Sequence, residues 1–392
     1  MRRESRAVSG PDASSESTET PSHEPSLSVL ERIQPGRTIV PVRVFFGLLL
    51  CVQSAMAIRE YGRSGYFAEH FHIPDIPEAL IAPRSLYVGL LAARLIAALL
   101  LVFGRTVRLA AAVSGLLLIH SFLSDRLQFH HNRYSLALFA LLLALCAPRG
   151  RGREPVSTFP IWLARVQVSL IYLASSGSKL LDPDWRCGVV LADRITRHTA
   201  EAIGRGVPSA VLSLLSSPRG SSLLALITIG TELAIAVLLW NRRWRKRAIY
   251  LGLGFHLMIE ITSRVELFSW VMLAAYGFFV TPDVEARTIH YENRGVARAL
   301  ASLLRVVDWF GRFQLVPFEP DAITPKGQAL VLTDRDERRY VGKQLLARTA
   351  SSIPVLFPLW PMFALWARVA RSRDAARPTA NASCKRDNEP GK

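Results

Sequence analysis

The sequence predicts an α-helical polytopic membrane bundle followed by a small α/β domain. Three observations predict it. Half of the 392 residues are hydrophobic and the mean hydropathy is +0.23, too apolar for an average soluble chain. The apolar residues fall in long runs near 39–58, 85–103, 107–124, 134–147, 160–178, 222–240, 246–262 and 265–280. That makes about eight candidate transmembrane helices, of which 134–147 is the shortest. None of the runs alternates with a period of two, so helices are the simpler assignment.

Taken in order, residues 1–36 read as a disordered arm, rich in Ser, Glu, Pro and Thr from Ser9 to Ser28, with no cleavable leader expected. The bundle spans 37–282. If the N-terminus is cytoplasmic, the inner loops hold Arg105 and Arg108, then Arg149, Arg151 and Arg153, then Arg242, Arg243, Arg245, Lys246 and Arg247. The outer loops after the third and seventh runs hold Arg126, Arg133 and Arg264. The longer outer loops carry Arg59, Arg63 and Arg84, then Arg186, Arg194 and Arg197. The balance favours a multi-pass protein of the cell membrane with both termini cytoplasmic.

From Thr288 the pattern changes. Thr288–Glu292, Arg312–Phe318 and Ala329–Thr333 read as strands, Gly295–Phe310 and Tyr340–Ser351 as helices. Strand–helix–strand–strand–helix fits a small α/β domain of thioredoxin type over 286–370. Pro354, Pro358 and Pro361 interrupt the apolar run Ile353–Trp366, which reads as an amphipathic packing segment, with a ninth span as the alternative. Residues 371–392 read as a disordered tail.

Net charge is +17 with pI near 10.4. No recognition motif accompanies the charge, so no nucleic-acid partner is expected. Arginines in short loops set topology and meet anionic headgroups, which makes the lipid bilayer the expected partner. Cys51, Cys146, Cys187 and Cys384 stand in neither CxxC nor metal-ligand spacing, so no metal site or disulfide framework is expected.

Polar residues inside or at the ends of the runs mark the candidate site. The run from Ile161 ends in Tyr172-Leu-Ala-Ser-Ser-Gly-Ser-Lys-Leu-Leu-Asp-Pro-Asp-Trp185, where Lys179 meets Asp182, Asp184 and Trp185. His131, Asn132 and Tyr134 open the fourth run. His256 and Glu260, four apart, share a helix face in the seventh. Arg94 and Glu232 lie mid-run. Charges in hydrocarbon normally pair and face the bundle interior. One reading is interhelical glue, with Arg94 against Glu232 or Glu260; the other is a polar cavity lined by these groups. Lys179 likewise reads either as a headgroup anchor or as a cavity residue paired with Asp182.

These motifs together resemble the HTTM (horizontally transferred transmembrane) family, which includes vitamin K-dependent γ-carboxylase. The matching pieces are His131-Asn132-Arg133-Tyr134, then Gly177-Ser-Lys179-Leu-Leu-Asp182-Pro-Asp184-Trp185, then Gly254-Phe-His256-Leu-Met258 with Phe268-Ser-Trp-Val-Met-Leu-Ala274. The resemblance implies catalytic roles for Lys179 and His131, a reduced vitamin K or another quinone as cofactor, and a peptide or protein substrate. The carboxylases carry two adjacent lysines before Leu-x-Asp, the second being the base. Here the pair is Lys179-Leu180, and adjacent helix positions point about 100° apart. The large lumenal region that engages the carboxylase substrate is also missing. Full carboxylase activity is therefore not expected. Membrane-associated peptide maturation or export is the first expectation, quinone-dependent outer-face chemistry of carboxylase or epoxidase type the second. A transporter is the third, without an internal repeat to support it.

The C-terminal part resembles the DCC family of thioredoxin-like domains, which opens on a strand and Asp-Gly-x-Cys-x-x-Cys. Here the stretch is Glu292-Asn-Arg-Gly295-Val-Ala-Arg298, so Gly295 and Arg298 stand at the cysteine positions. Thiol–disulfide exchange needs a thiolate, and the resemblance therefore implies a docking or stabilising module without redox activity.

Overall fold

The computed structural model describes residues 33–64, 73–150, 152, 154–262, 265–280, 287–308, 311–318, 329–334, 337–353, 356 and 359–375. The predicted arm over 1–32, the tail from 376, and the loop residues Arg151, Arg153 and Arg264 lie outside the described residues. Residues 33–36 of the predicted arm are ordered. The strand β1 (Ile33–Pro35) pairs antiparallel with β2 (Pro155–Ser157), and Gly36 N–H donates to the Glu154 carbonyl.

Every one of the apolar runs is helical. They form α1 (Val40–Ser64), α2 (Arg84–Phe103), α3 (Val107–Ser124), α4 (His131–Cys146), α5 (Phe159–Leu181), α10 (Pro218–Leu238), α11 (Arg245–Thr262) and α12 (Phe268–Tyr276). Between α5 and α10 lie four short helices that the hydropathy pattern does not announce: α6 (Pro183–Arg186), α7 (Val189–Arg197), α8 (Thr199–Gly204) and α9 (Ser209–Ser216). Among the described residues, four segments are long and apolar enough to cross a membrane: Gly36–Glu60, Ser85–Phe103, Val107–Ser124 and Pro218–Leu238. The other four helices are shorter or more polar. α12 has 9 residues and α4 has 16, α5 carries Arg165 and Lys179, and α11 opens on Arg245, Lys246 and Arg247.

Lipid offers no hydrophobic drive for helices to associate, so close packing holds such a bundle together. At its centre the rings of Phe46, Phe139 and Phe278 lie 5.3–5.9 Å apart, tying α1 and α4 to the turn after α12. The loop end is pinned by Arg43, which is buried and donates to the carbonyls of Pro148 and Gly150 at 3.1 and 2.9 Å. Gly104 ends α2 at φ 76, and its missing Cβ is the space the Arg43 guanidinium occupies: a methyl there would stand 2.8 Å from Nη1.

The C-terminal unit is a four-stranded mixed sheet in the order β4-β3-β5-β6, formed by β3 (Thr288–Tyr291), β4 (Gln314–Pro317), β5 (Leu330–Thr333) and β6 (Arg339–Val341). β3 runs parallel to β4 and antiparallel to β5, and β6 runs antiparallel to β5. Helix α13 (Gly295–Val307) is the crossover between the parallel pair, and α14 (Gly342–Ala350) covers a core of Ile289, Phe313, Leu332, Leu345 and Ile353. Beyond α13, the Asp308 carboxylate accepts the N–H groups of Arg312 and Phe313 at 2.8 and 2.9 Å; burial nevertheless pushes its pKa above the ordinary range.

Three sequence expectations change here. Tyr340 belongs to a strand and not to the helix, because residues 339–341 pair with β5 and the helix starts only at Gly342, at φ 52. The run Ile353–Trp366 gives a helix only from its last part: α15 (Trp360–Ala375) starts with Pro361 in its first turn, where a missing N–H costs nothing. Residues 371–375 of the predicted tail continue that helix.

Gly104→Ala should lower stability by about 1–3 kcal/mol, since it forces both a left-handed alanine and a displaced Arg43. Thermal unfolding in detergent measures this. An unchanged midpoint would mean that Arg43 has another rotamer of equal quality.

Candidate functional site

Helix α5 presents Ser169, Tyr172, Ser175 and Lys179 about one turn apart, hence as one polar stripe. Ser169, Ser175 and Lys179 meet α10 and the turn after it. Near one end Trp240 Nε1 donates to Ser169 Oγ at 2.7 Å, and that hydroxyl donates to the Ala236 carbonyl at 3.2 Å. Near the other end Lys179 Nζ donates to Glu232 Oε1 at 2.5 Å and to Ser175 Oγ at 2.7 Å, while Ser175 Oγ donates to the same carboxylate oxygen at 3.1 Å. Contacts that rise along α5 as they descend along α10 make the two helices antiparallel.

This ion pair is buried: the side chains of Lys179 and Glu232 keep 13% and 6% of their exposure. Glu232 Oε2 is buried as well, with no hydrogen-bond partner among the described residues. Trp185 covers the pair, its ring 5.1 Å from Lys179 Nζ and 5.5 Å from the Arg194 guanidinium carbon. Lys179 therefore pairs with Glu232 and not with Asp182. The reason is local. α5 stops at Leu181, Asp182 turns to an extended conformation, and its carboxylate accepts Asp184 N–H at 2.9 Å as the cap of α6, with Pro183 at the first helical position. Asp184 is exposed.

Two turns back along α5 lies a second polar group. The Tyr172 hydroxyl is 2.7 Å from His256 Nε2 of α11 and hydrogen-bonds the Tyr276 hydroxyl of α12. All three residues are buried, and His256 Nδ1 has no partner among the described residues. Tyr276 reaches this position because Gly252 leaves room: a Cβ on Gly252 would lie 2.1 Å from its hydroxyl oxygen.

The remaining expected residues are distributed elsewhere. Arg94 is 1% exposed and bonds Ser54 and Ser121, at 3.2 and 3.4 Å, between α1 and α3. It meets neither Glu232, which Lys179 occupies, nor Glu260. Its Nη2 has no partner among the described residues, nor have the buried Gln53 Oε1 and Asn132 Nδ2. Glu260 is half-buried, its Oε1 without a partner among the described residues, and its carbonyl accepts from Arg205 Nη1 at 2.6 Å. His131 and Tyr134 are exposed at the start of α4, packed on Phe129 at 5.3 and 5.8 Å. No hydrogen bond or ring contact among the described residues joins His131, Asn132 or Tyr134 to Lys179. Sequence reasoning missed Ser175, Tyr276 and Arg194. Ser175 was readable from its four-residue spacing to Lys179, whereas Tyr276 and Arg194 carry no local signal.

A family model for the HTTM domain matches residues 32–284, about two-thirds of the 392-residue chain. No curated protein and no solved structure matches it.

Breaking the buried pair should be costly, and removing it whole should not. Lys179→Met is expected to destabilise by about 3–5 kcal/mol by leaving Glu232 uncompensated, and adding Glu232→Gln should recover most of that loss. Denaturant unfolding in detergent supplies the cycle. A neutral Lys179→Met would return Lys179 to the role of headgroup anchor.

Proposed function

We propose that this chain, which belongs to the HTTM family, is a membrane protein that binds a peptide at the Trp185-covered end of α5 and serves membrane-associated peptide maturation or export. Glutamate carboxylation is not part of this reading. The observation that carries it is the Lys179–Glu232 pair at 2.5 Å with a buried Glu232 Oε2 that has no partner among the described residues. The Glu232 carboxylate and Ser175 already engage the Lys179 amine, and that engagement opposes service as the free base that vitamin K deprotonation needs. The free oxygen of Glu232 is an acceptor for a ligand N–H, and filling it removes an unsatisfied buried group. Trp185 adds an aromatic wall. His131 has no support for a catalytic role in this geometry; Asp182 and Asp184 act here as helix-capping and surface groups.

A second reading, outer-face chemistry on a reduced vitamin K or another quinone, draws support from Tyr172, His256 and Tyr276. Two phenols and an imidazole in hydrogen-bond contact form a path along which a proton can move. In this reading Lys179, Glu232 and Ser175 exchange the proton at the site end.

For the rest of the chain we propose an eight-crossing bundle over 37–282 with both termini cytoplasmic, and a degenerate DCC, thioredoxin-like unit over 286–370. The strand order, with a helical crossover between the parallel pair and two antiparallel strands on the other side, supports that unit. Gly295 and Arg298 at the first turn of α13 leave it without sulfur, so it docks or stabilises.

Reconstituted wild-type protein supplied with reduced vitamin K, CO2, oxygen and a glutamate peptide should give neither epoxide nor carboxylated peptide by mass spectrometry. Leu180→Lys is the change expected to introduce some epoxidation. Carboxylation by the wild type that disappears in Lys179→Ala would overturn the reading, and a quinone co-purifying in stoichiometric amount would favour the second one. For topology, cysteines placed at Ser216 and Ser302 should label from opposite sides; labelling of both from the cytoplasm contradicts the proposed orientation.

A further inference from the structure

Helix α13 of the C-terminal unit carries more apolar surface than that unit uses. Ala297 and Ala301 are buried, and Leu304 and Val307 pack on the core around Ile289. Beside this face runs a second apolar stripe. Val296, Ala299, Leu303 and Val306 recur at spacings of three and four residues, so they share one side of the helix. The stripe is open: Val296, Leu303 and Val306 keep 76%, 55% and 68% of their exposure. The polar arc that remains is narrow. It holds Arg298, Ser302 and Arg305, and the helix contains no Asp or Glu. A helix that only covers a sheet needs one apolar face of about 100° and turns polar side chains outward.

The second observation is where α13 ends. The chain leaves it through Asp308 and reaches Gly311, at φ 60, which lies against Arg37: a Cβ there would stand 2.7 Å from Arg37 Nε. Arg37 belongs to the single turn Gly36–Thr38 that leads into α1, where the apolar segment Gly36–Glu60 begins. The end of α13 therefore lies at the point where a long apolar helix starts, and from Val306 back to Val296 the open stripe extends about 15 Å. The charge on the helix agrees with a lipid surface. Arg298 and Arg305 stand across Ser302 from the stripe, Arg305 anchored by donating to the Tyr291 hydroxyl at 2.6 Å. A second copy docked stripe to stripe would bring these arginines together with no acid on the helix to meet them.

We infer that α13 lies in the headgroup region of the leaflet from which α1 starts. Val296, Leu303 and Val306 reach the acyl boundary, and Arg298 on the polar arc meets anionic headgroups. The C-terminal unit is thereby held against the bilayer as well as against the bundle, and burial of the stripe in lipid removes it from water. The inference is independent of what the Lys179 site binds.

The test uses the full chain in liposomes of phosphatidylcholine and phosphatidylglycerol. A nitroxide is placed by Leu303→Cys, and for comparison by Ser302→Cys on the polar arc, each combined with Cys187→Ser and Cys384→Ser to confine the label. Oxygen concentrates in hydrocarbon, whereas a nickel chelate stays in water. The ratio of oxygen to chelate accessibility should be several-fold higher at 303 than at 302. A label placed by Val296→Cys, on the same stripe near the other end of the helix, should match 303. Equal ratios at 302 and 303 would overturn the inference by leaving the stripe in water. Shielding of 303 from both reagents would also overturn it, by assigning the stripe to a protein surface. Relief of that shielding on removal of residues 1–30 would identify the N-terminal arm, with its Leu27, Val29 and Leu30, as the cover; relief on dilution into excess lipid would identify a second copy.

Discussion

Glu232 sits in the middle of α10 with its carboxylate out of water, and only a cation brought by a neighbouring helix makes that position tolerable. Lys179 is that cation. Its four-carbon stem reaches across from α5, Ser175 bonds both members, and Trp185 closes the site from the loop side. The α5–α10 register follows from this contact. Once Lys179 and Glu232 meet, Ser169 falls opposite Ala236 and Trp240, and the indole and hydroxyl find each other. The same register carries Tyr172 inward to α11 and α12. One ion pair thus aligns four helices, and moving it by a turn would orphan several polar groups in hydrocarbon at once.

The helices were legible because hydrocarbon demands long apolar runs, and such runs survive any arrangement of neighbours. The short helices α6–α9 were not, because Pro183, Gly188 and Pro208 break the stretch into pieces too brief for periodicity to show. β6 was hidden for a related reason. Three residues that pair with β5 run directly into α14, so the apolar spacing reads as one helix. For the site, composition marked Lys179, Glu232 and His256 as costly polar groups, yet not which would meet. Asp182 was the nearest acid in sequence, and the end of α5 at Leu181 turned it away. Helix ends decide such pairings, and they depend on a backbone turn that side-chain spacing does not encode.

Arg94 marks a different outcome of the same pressure. Its guanidinium is buried among hydroxyls, with Ser54 and Ser121 as partners and one nitrogen without a partner among the described residues. Arg94 in the α1–α4 half is thus met by hydroxyls, whereas Glu232 in the α5–α12 half is met by a cation. A common aromatic core of Phe46, Phe139 and Phe278 joins the two halves.

The phenol of Tyr276 rests in the notch that Gly252 leaves in α11. Gly252 and His256 are four apart and share one face of α11, so an axial slide that moves the notch off the phenol also withdraws the imidazole from Tyr172. A roll about its own axis does the same. A tilt that pivots at the notch disturbs these two contacts least. A pivot fixed near Gly252 divides α11 into two lever arms of opposite motion. When the end bearing Glu260 swings outward, the end bearing Lys246 swings inward.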